Sequence, residues 1–263
     1  MRSNHEIDYQ IFGEEMQYVE VELDPNETAV AEAGSFMMMD DGIQMQTIFG
    51  DGSQQQTGIL GKLFSAGKRL LVGESLFMTA YTNTGHGKKK VSFASPYPGK
   101  IIPLDLMRLG SKIVCQKDSF LCAAKGVSIG IEFQKKLGTG LFGGEGFIMQ
   151  KLEGDGLAFV HAGGHVLQRE LQPGEMLKVD TGCIVAFTQN VDYDIQFVGG
   201  IKNTLFGGEG VFFATLRGPG TVWIQTLPIS RLASRILAYG TFKRKEEGGV
   251  LGGLGNMMDG DGW

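Results

Sequence analysis

Of the chain's 263 residues, 41 are glycine, only 7 are proline, and 42% are hydrophobic. No Gly-X-Y period runs through it, which excludes a collagen helix, and the apolar share is enough for a packed core, which excludes a flexible linker. A net charge of -5, from 24 basic and 29 acidic residues, argues against a broad nucleic-acid surface, which needs a net basic face.

The N-terminal run MRSNHEIDYQIFGEEM has no apolar h-region. Its Glu6, Asp8, Glu14 and Glu15 are at odds with an Arg-rich, acid-poor presequence. No stretch approaches the ~18 apolar residues of a membrane-spanning helix. Cys115, Cys122 and Cys183 are odd in number and fit no zinc spacing, so they read as reduced thiols. The expectation is a cytoplasmic protein.

Strand signals dominate in chain order. YVEVEL (Tyr18–Leu23) puts Val19, Val21 and Leu23 on one face and Glu20 and Glu22 on the other. KIIPLDL, SKIVCQ, VSIGIEF, HVLQREL, EMLKVD, YDIQFVG and TVWIQT read the same way or as short buried runs, separated by Gly, Asp, Asn and Pro turn signals. Helical periodicity is confined to Ile59–Leu71 and Ser230–Tyr239, the second with Ser230 as N-cap and Gly240 as stop. The fold class is therefore all-β, sandwich or barrel-like, with one or two short helices.

The sequence repeats itself. LFGGEGFIMQKLEGDG begins at Leu141 and LFGGEGVFFATLRGPG at Leu205, an offset of 64 (205 minus 141), and a weaker copy begins at Leu70 (LLVGESLFMTAYT). A second element, LDPNETAVAEAG from Leu23, matches LQPGEMLKVDTG from Leu171, with LGSKIVCQKDSF from Leu109 between them. Three units follow, about 7–105, 106–171 and 172–239. Each is too small to bury its apolar face alone, so they should close on one another with pseudo-threefold symmetry in a single domain, 1–245. The Gly-rich tail 246–263 is expected to be mobile or to dock on a neighbour.

Candidate sites are few. GTGLFG (Gly138–Gly143) fits G-x-G-x-x-G in letters, but a strand signal follows where a dinucleotide site needs a helix N-terminus. Glu74, Glu145 and Glu209 recur at one repeat position, so a carboxylate ring around a cation is one reading. Caps for three equivalent glycine turns are the preferred one. His161 and His165 (HAGGH) share a metal only if a turn brings them together, and the equivalents of His161, Ser95 and Thr226, are poorer ligands. Ordinary turn histidines are preferred, and no cofactor is expected. Asp40–Asp41 and Glu14–Glu15 read as solvated turns, and NTGHGKKK (Asn83–Lys90) as an exposed hairpin tip. Ile59–Leu71 is basic and amphipathic. Edge cover or a subunit contact is preferred for it, with membrane contact through Ile59, Leu60, Leu63 and Phe64 third. Met37–Met38–Met39 after Phe36 reads as core or interface filler.

The two LFGGEG motifs, GESLF (Gly73–Phe77), PGE (Pro173–Glu175) and the tail GGLGNMM resemble the altered-inheritance-of-mitochondria family over nearly the whole chain. The resemblance implies a β-sandwich similar to the tryptophan RNA-binding attenuation protein, with internal pseudo-threefold symmetry. It supplies no catalytic residues. The inner-membrane role of fungal members is not extended to this chain, whose N-terminus lacks presequence character.

The function expected is that of a non-enzymatic scaffold or assembly protein acting through a large β surface near a membrane, homo-oligomeric and with protein partners. A small-ligand or metal-binding module is the alternative. RNA binding, suggested only by likeness of fold, comes third against the acidic balance.

Overall fold

The computed structural model describes residues 4–49, 77–135, 147–198 and 211–239. After β1 (Asp8–Phe12) the strands fall into three sets of six. The first is β2 (Tyr18–Leu23), β3 (Thr28–Glu32), β4 (Phe36–Met39), β5 (Ile43–Phe49), β6 (Phe77–Asn83) and β7 (Lys89–Ala94). The second is β8 (Gly99–Asp105), β9 (Lys112–Gln116), β10 (Phe120–Ala124), β11 (Ser128–Lys135), β12 (Phe147–Glu153) and β13 (Leu157–Gly163). The third is β14 (Val166–Leu171), β15 (Met176–Asp180), β16 (Ile184–Thr188), β17 (Asp192–Val198), β18 (Val211–Arg217) and β19 (Gly220–Gln225). A short helix, α1, covers 229–239. The all-β expectation is met.

All three sets pair alike. The fifth strand lies between the second and the fourth, and the sixth lies between the first and the third. Sets join when the third strand of one pairs antiparallel with the second strand of the set before it, β10 with β3 and β16 with β9. Two six-stranded sheets result, β5-β6-β3-β10-β13-β8 and β11-β12-β9-β16-β19-β14. The remaining strands form β1-β2-β7-β4 and β15-β18-β17. Two junctions thus link the three sets, while β4 and β15 end as sheet edges among the described residues.

Burial follows this position in the sheets. β2 alternates with Val19, Val21 and Leu23 inward, as its sequence requires. β10 (FLCAA) and β16 (IVAFT) are buried along their whole length, because each is central in its sheet and covered on both faces. Three apolar clusters fill the sandwich, around Phe93 and Phe159, around Phe120 and Trp223, and around Phe187 and Phe147.

The P-x-E turns show why that element repeats. Glu27 accepts the Asp24 backbone N–H at 2.8 Å, and Glu175 accepts that of Gln172 at 2.9 Å. Between them stand Asn26 at φ 72° and Gly174 at φ 77°, the left-handed position both turns need. These turns follow the first strand of a set. Strand pairing therefore gives β8 to the second set, one strand earlier than a border at residue 105. The helix also differs from expectation. The Pro228 carbonyl accepts the N–H groups of Arg231 and Leu232, and Ser230 lies inside the first turn. Proline suits a helix start because it has no N–H to leave unpaired.

Candidate functional site

Polar side chains collect where β3, β9 and β13 approach the link between β7 and β8. His161 lies on β13 and is buried. Its ring meets that of Tyr97 edge-on, with centroids 4.9 Å apart. Burial lowers its pKa to about 4, against the opposing effect of a hydrogen bond to the backbone of Asp118. Its Nδ1 has no hydrogen-bond partner among the described residues. Glu32, at the end of β3, is raised to about 7, first by burial and then by the charge of Asp118, with Lys117 opposing. The Tyr97 hydroxyl is pushed up by burial and then by Asp118 and Glu32, and the Cys115 thiol by burial and then by Glu32. At neutral pH the His161 imidazole is neutral, and the Glu32 carboxyl, raised to about 7, is only partly ionised.

This arrangement also recurs. Adding the repeat offset of 64 carries His161 to Gln225 and Asp118 to Gly182. Gln225 is buried, donates to the Gly182 carbonyl at 2.9 Å and accepts the Gly163 N–H at 2.7 Å. The equivalent of His161 is therefore Gln225, one residue before Thr226. Thr226 instead accepts the His165 N–H on its hydroxyl at 2.9 Å. Both side chains close the sandwich between a sixth strand and the turn before a third strand.

The predicted site residues are distributed as follows. His161 is buried against Tyr97, whereas His165 is exposed in the turn after β13. No group of three or more His, Cys, Asp or Glu side chains placed to hold a metal occurs among the described residues. Glu74, Glu145 and Glu209, the GTGLFG segment, the Ile59–Leu71 segment with Ile59, Leu60, Leu63 and Phe64, and the tail all lie outside the described residues. Two of the three lysines of the Asn83–Lys90 tip are engaged by acids: Lys88 meets Glu22 at 2.6 Å and Asp8 at 3.3 Å, and Lys90 meets Glu20 at 2.6 Å. Sequence reasoning did not find Glu32, Tyr97 or Asp118, which are scattered along the chain with no motif around them.

The second feature is the surface of β4. The β-bulge that interrupts the pairing of β10 with β13 and of β16 with β19 also interrupts that of β4 with β7, between Phe36 and Met38. The bulges align Met37, Met38 and Met39 with Leu121, Cys122 and Ala123 and with Val185, Ala186 and Phe187. In β10 and β16 these residues are 0–1% exposed. In β4 the three methionines are 48%, 44% and 38% exposed. Phe36 stacks on Tyr81 at 5.6 Å and is itself 38% exposed. One strand position is thus core in two sets and open surface in the third.

Comparison with known proteins places the chain. Residues 9–227 match the family model described as mitochondrial biogenesis AIM24. The chain belongs to this family. An uncharacterized protein of Streptococcus pyogenes serotype M6 is 31% identical over 225 residues, which is 84% of this chain and 86% of that protein. The crystal structure of protein SPYM3_0169 from Streptococcus pyogenes superposes with a TM-score of 0.69 at 24% identity. It covers 89% of this chain and 99% of its own, and this likeness shows the fold. No helix among the described residues is long and apolar enough to cross a membrane.

Proposed function

We propose that this AIM24-family protein is a non-enzymatic scaffold that assembles with other protein through its β surface, with β4 as the principal contact. The observation that carries this reading is the exposure of Phe36–Met39 on a strand whose counterparts are core. A short run of four apolar side chains on a sheet edge that is unpaired among the described residues offers both main-chain hydrogen bonds and apolar area to an incoming strand. Methionine suits such a surface because its flexible thioether adapts to the partner. Affinity purification of the full chain, with quantitative mass spectrometry of co-eluting proteins, tests it. Met38→Lys is expected to deplete the bound proteins at least about tenfold, since a buried contact of this kind is worth more than 1.4 kcal/mol. An unchanged set of bound proteins would remove β4 as the contact.

A further inference from the structure

We infer that β4 of one copy is completed by β15 of a second copy, so that the chain assembles head to tail through a junction it already builds twice within itself. This rests on the reading of β4 as a contact surface and names its occupant.

The internal junctions supply the template. Cys122, Ala123 and Ala124 of β10 pair with Ala31, Val30 and Ala29 of β3. Ala186, Phe187 and Thr188 of β16 pair with Cys115, Val114 and Ile113 of β9. A third-position strand carrying the bulge thus meets a second-position strand over three antiparallel pairs. β4 is the third-position strand left over, and it carries that bulge. β15 is the second-position strand left over. It pairs with β18 as β9 pairs with β12, Lys178 opposite Thr215 where Val114 stands opposite Lys151. Transferring the register sets Met38 opposite Val179, Met39 opposite Lys178 and Asp40 opposite Leu177. Asp41, two residues beyond Met39, then lies diagonal to Lys178 on the same face, while Asp40 accepts the Lys90 N–H at 2.8 Å within its own sheet.

Both edges are open among the described residues of one chain, so each copy presents one β4 edge and one β15 edge. A contact between unlike patches of identical chains is heterologous, and it closes into a ring when the rotation between copies allows. Lys178 is a charged residue of the kind that deters indiscriminate edge pairing, which leaves a partner with an acid at Asp41 favoured.

The test uses the full chain in a Cys183→Ser background, which removes the half-buried thiol. Met38→Cys and Val179→Cys are made in separate chains, purified and mixed under mild oxidation. Directly opposed residues of an antiparallel pair lie at a spacing that a disulfide can bridge. The expected result is a covalent heterodimer of two 28.5 kDa chains that neither variant forms alone. Light scattering on the unaltered protein should give a multiple of 28.5 kDa, and Met38→Lys should reduce it to one chain with an unchanged β-type circular dichroism spectrum. A doubly substituted chain that cross-links only within itself would overturn the proposal in favour of closure within one molecule. A monomeric native protein, or an oligomer without cross-link, would also overturn it. Loss of co-eluting proteins on Met38→Lys with no cross-link would leave the β4 contact standing and eliminate the second copy as its occupant.

Discussion

The ring of His161 stands edge-on to the ring of Tyr97, the planes 76° apart, with both side chains buried. The imidazole is neutral when folded, since its pKa is lowered from 6.5 to about 4. In the unfolded chain it takes a proton near pH 6.5, so protons favour unfolding between those values. Its contribution is complete above about pH 6.5 and is lost as pH falls through about 4, by up to about 3 kcal/mol. His161→Gln, which installs the residue found at the equivalent position 225, is expected to flatten that acid limb. Urea midpoints measured from pH 4 to 7 check it, and an unchanged slope in the variant would refute it.

Glu32 acts with the opposite sign. Its folded pKa is raised from 4.5 to about 7, so the unfolded chain releases its proton first. Its contribution is present below about pH 4.5 and lost as pH rises through about 7, on the order of 2–3 kcal/mol. Glu32→Gln keeps the neutral shape and should be more stable than the unaltered protein at pH 8, with little difference at pH 4.5. Equal stability of the two proteins at pH 8 would contradict this.

Gly99 and Gly163 mark where backbones stack most closely. A Cβ on Gly163 would collide with the Leu227 carbonyl, whose own N–H is bound by the Gly163 carbonyl at 3.1 Å. A Cβ on Gly99 would strike the Ala162 carbonyl. Neither obstacle is a movable side-chain end. Gly163→Ala should cost at least about 2–3 kcal/mol, as overpacking against backbone does. Gly34→Ala, with open space around it but φ at 90°, should cost roughly 1 kcal/mol. Thermal unfolding of both variants orders them, and equal losses would refute the collision.

Asn83 is fully buried at the end of β6. Its amide donates to the carbonyls of Leu23 and Gly87, both at 2.8 Å, and its side-chain oxygen accepts the Gly85 N–H at 3.0 Å. Asn83→Ala strands these three groups and should lower stability by roughly 2–4 kcal/mol. The expected signature is a lower urea midpoint at unchanged slope.

None of the three cysteines is in a disulfide. Cys115 and Cys122 are buried, and burial raises both thiols. Cys183 is only half-buried and has the Arg231 guanidinium 3.8 Å from its sulfur. A colorimetric thiol reagent should therefore modify one cysteine in the folded protein and all three after denaturation. Labelling of Cys115 or Cys122 ahead of Cys183 would count against this packing.

Sequence periodicity determined the strands, because alternation such as that of Tyr18–Leu23 is imposed locally by the pleat. The repeat offset likewise located the hairpins of β12–β13 and β18–β19, since turn chemistry is written in neighbouring residues. The Met37–Met39 run reads from sequence as core or interface filler, and only the tertiary structure separates the two. Leu121–Ala123 and Val185–Phe187 are equally apolar and become core because β3 and β9 lie beside their strands. Among the described residues β4 has no such neighbour. The cluster of Glu32, Tyr97, Asp118 and His161 was equally out of reach of the sequence, its first and last members being 129 positions apart (161 minus 32). The shift of His161 comes first from desolvation, and those of Glu32 and Tyr97 from desolvation and then neighbouring charge, and both causes exist only once three separate strands have packed together.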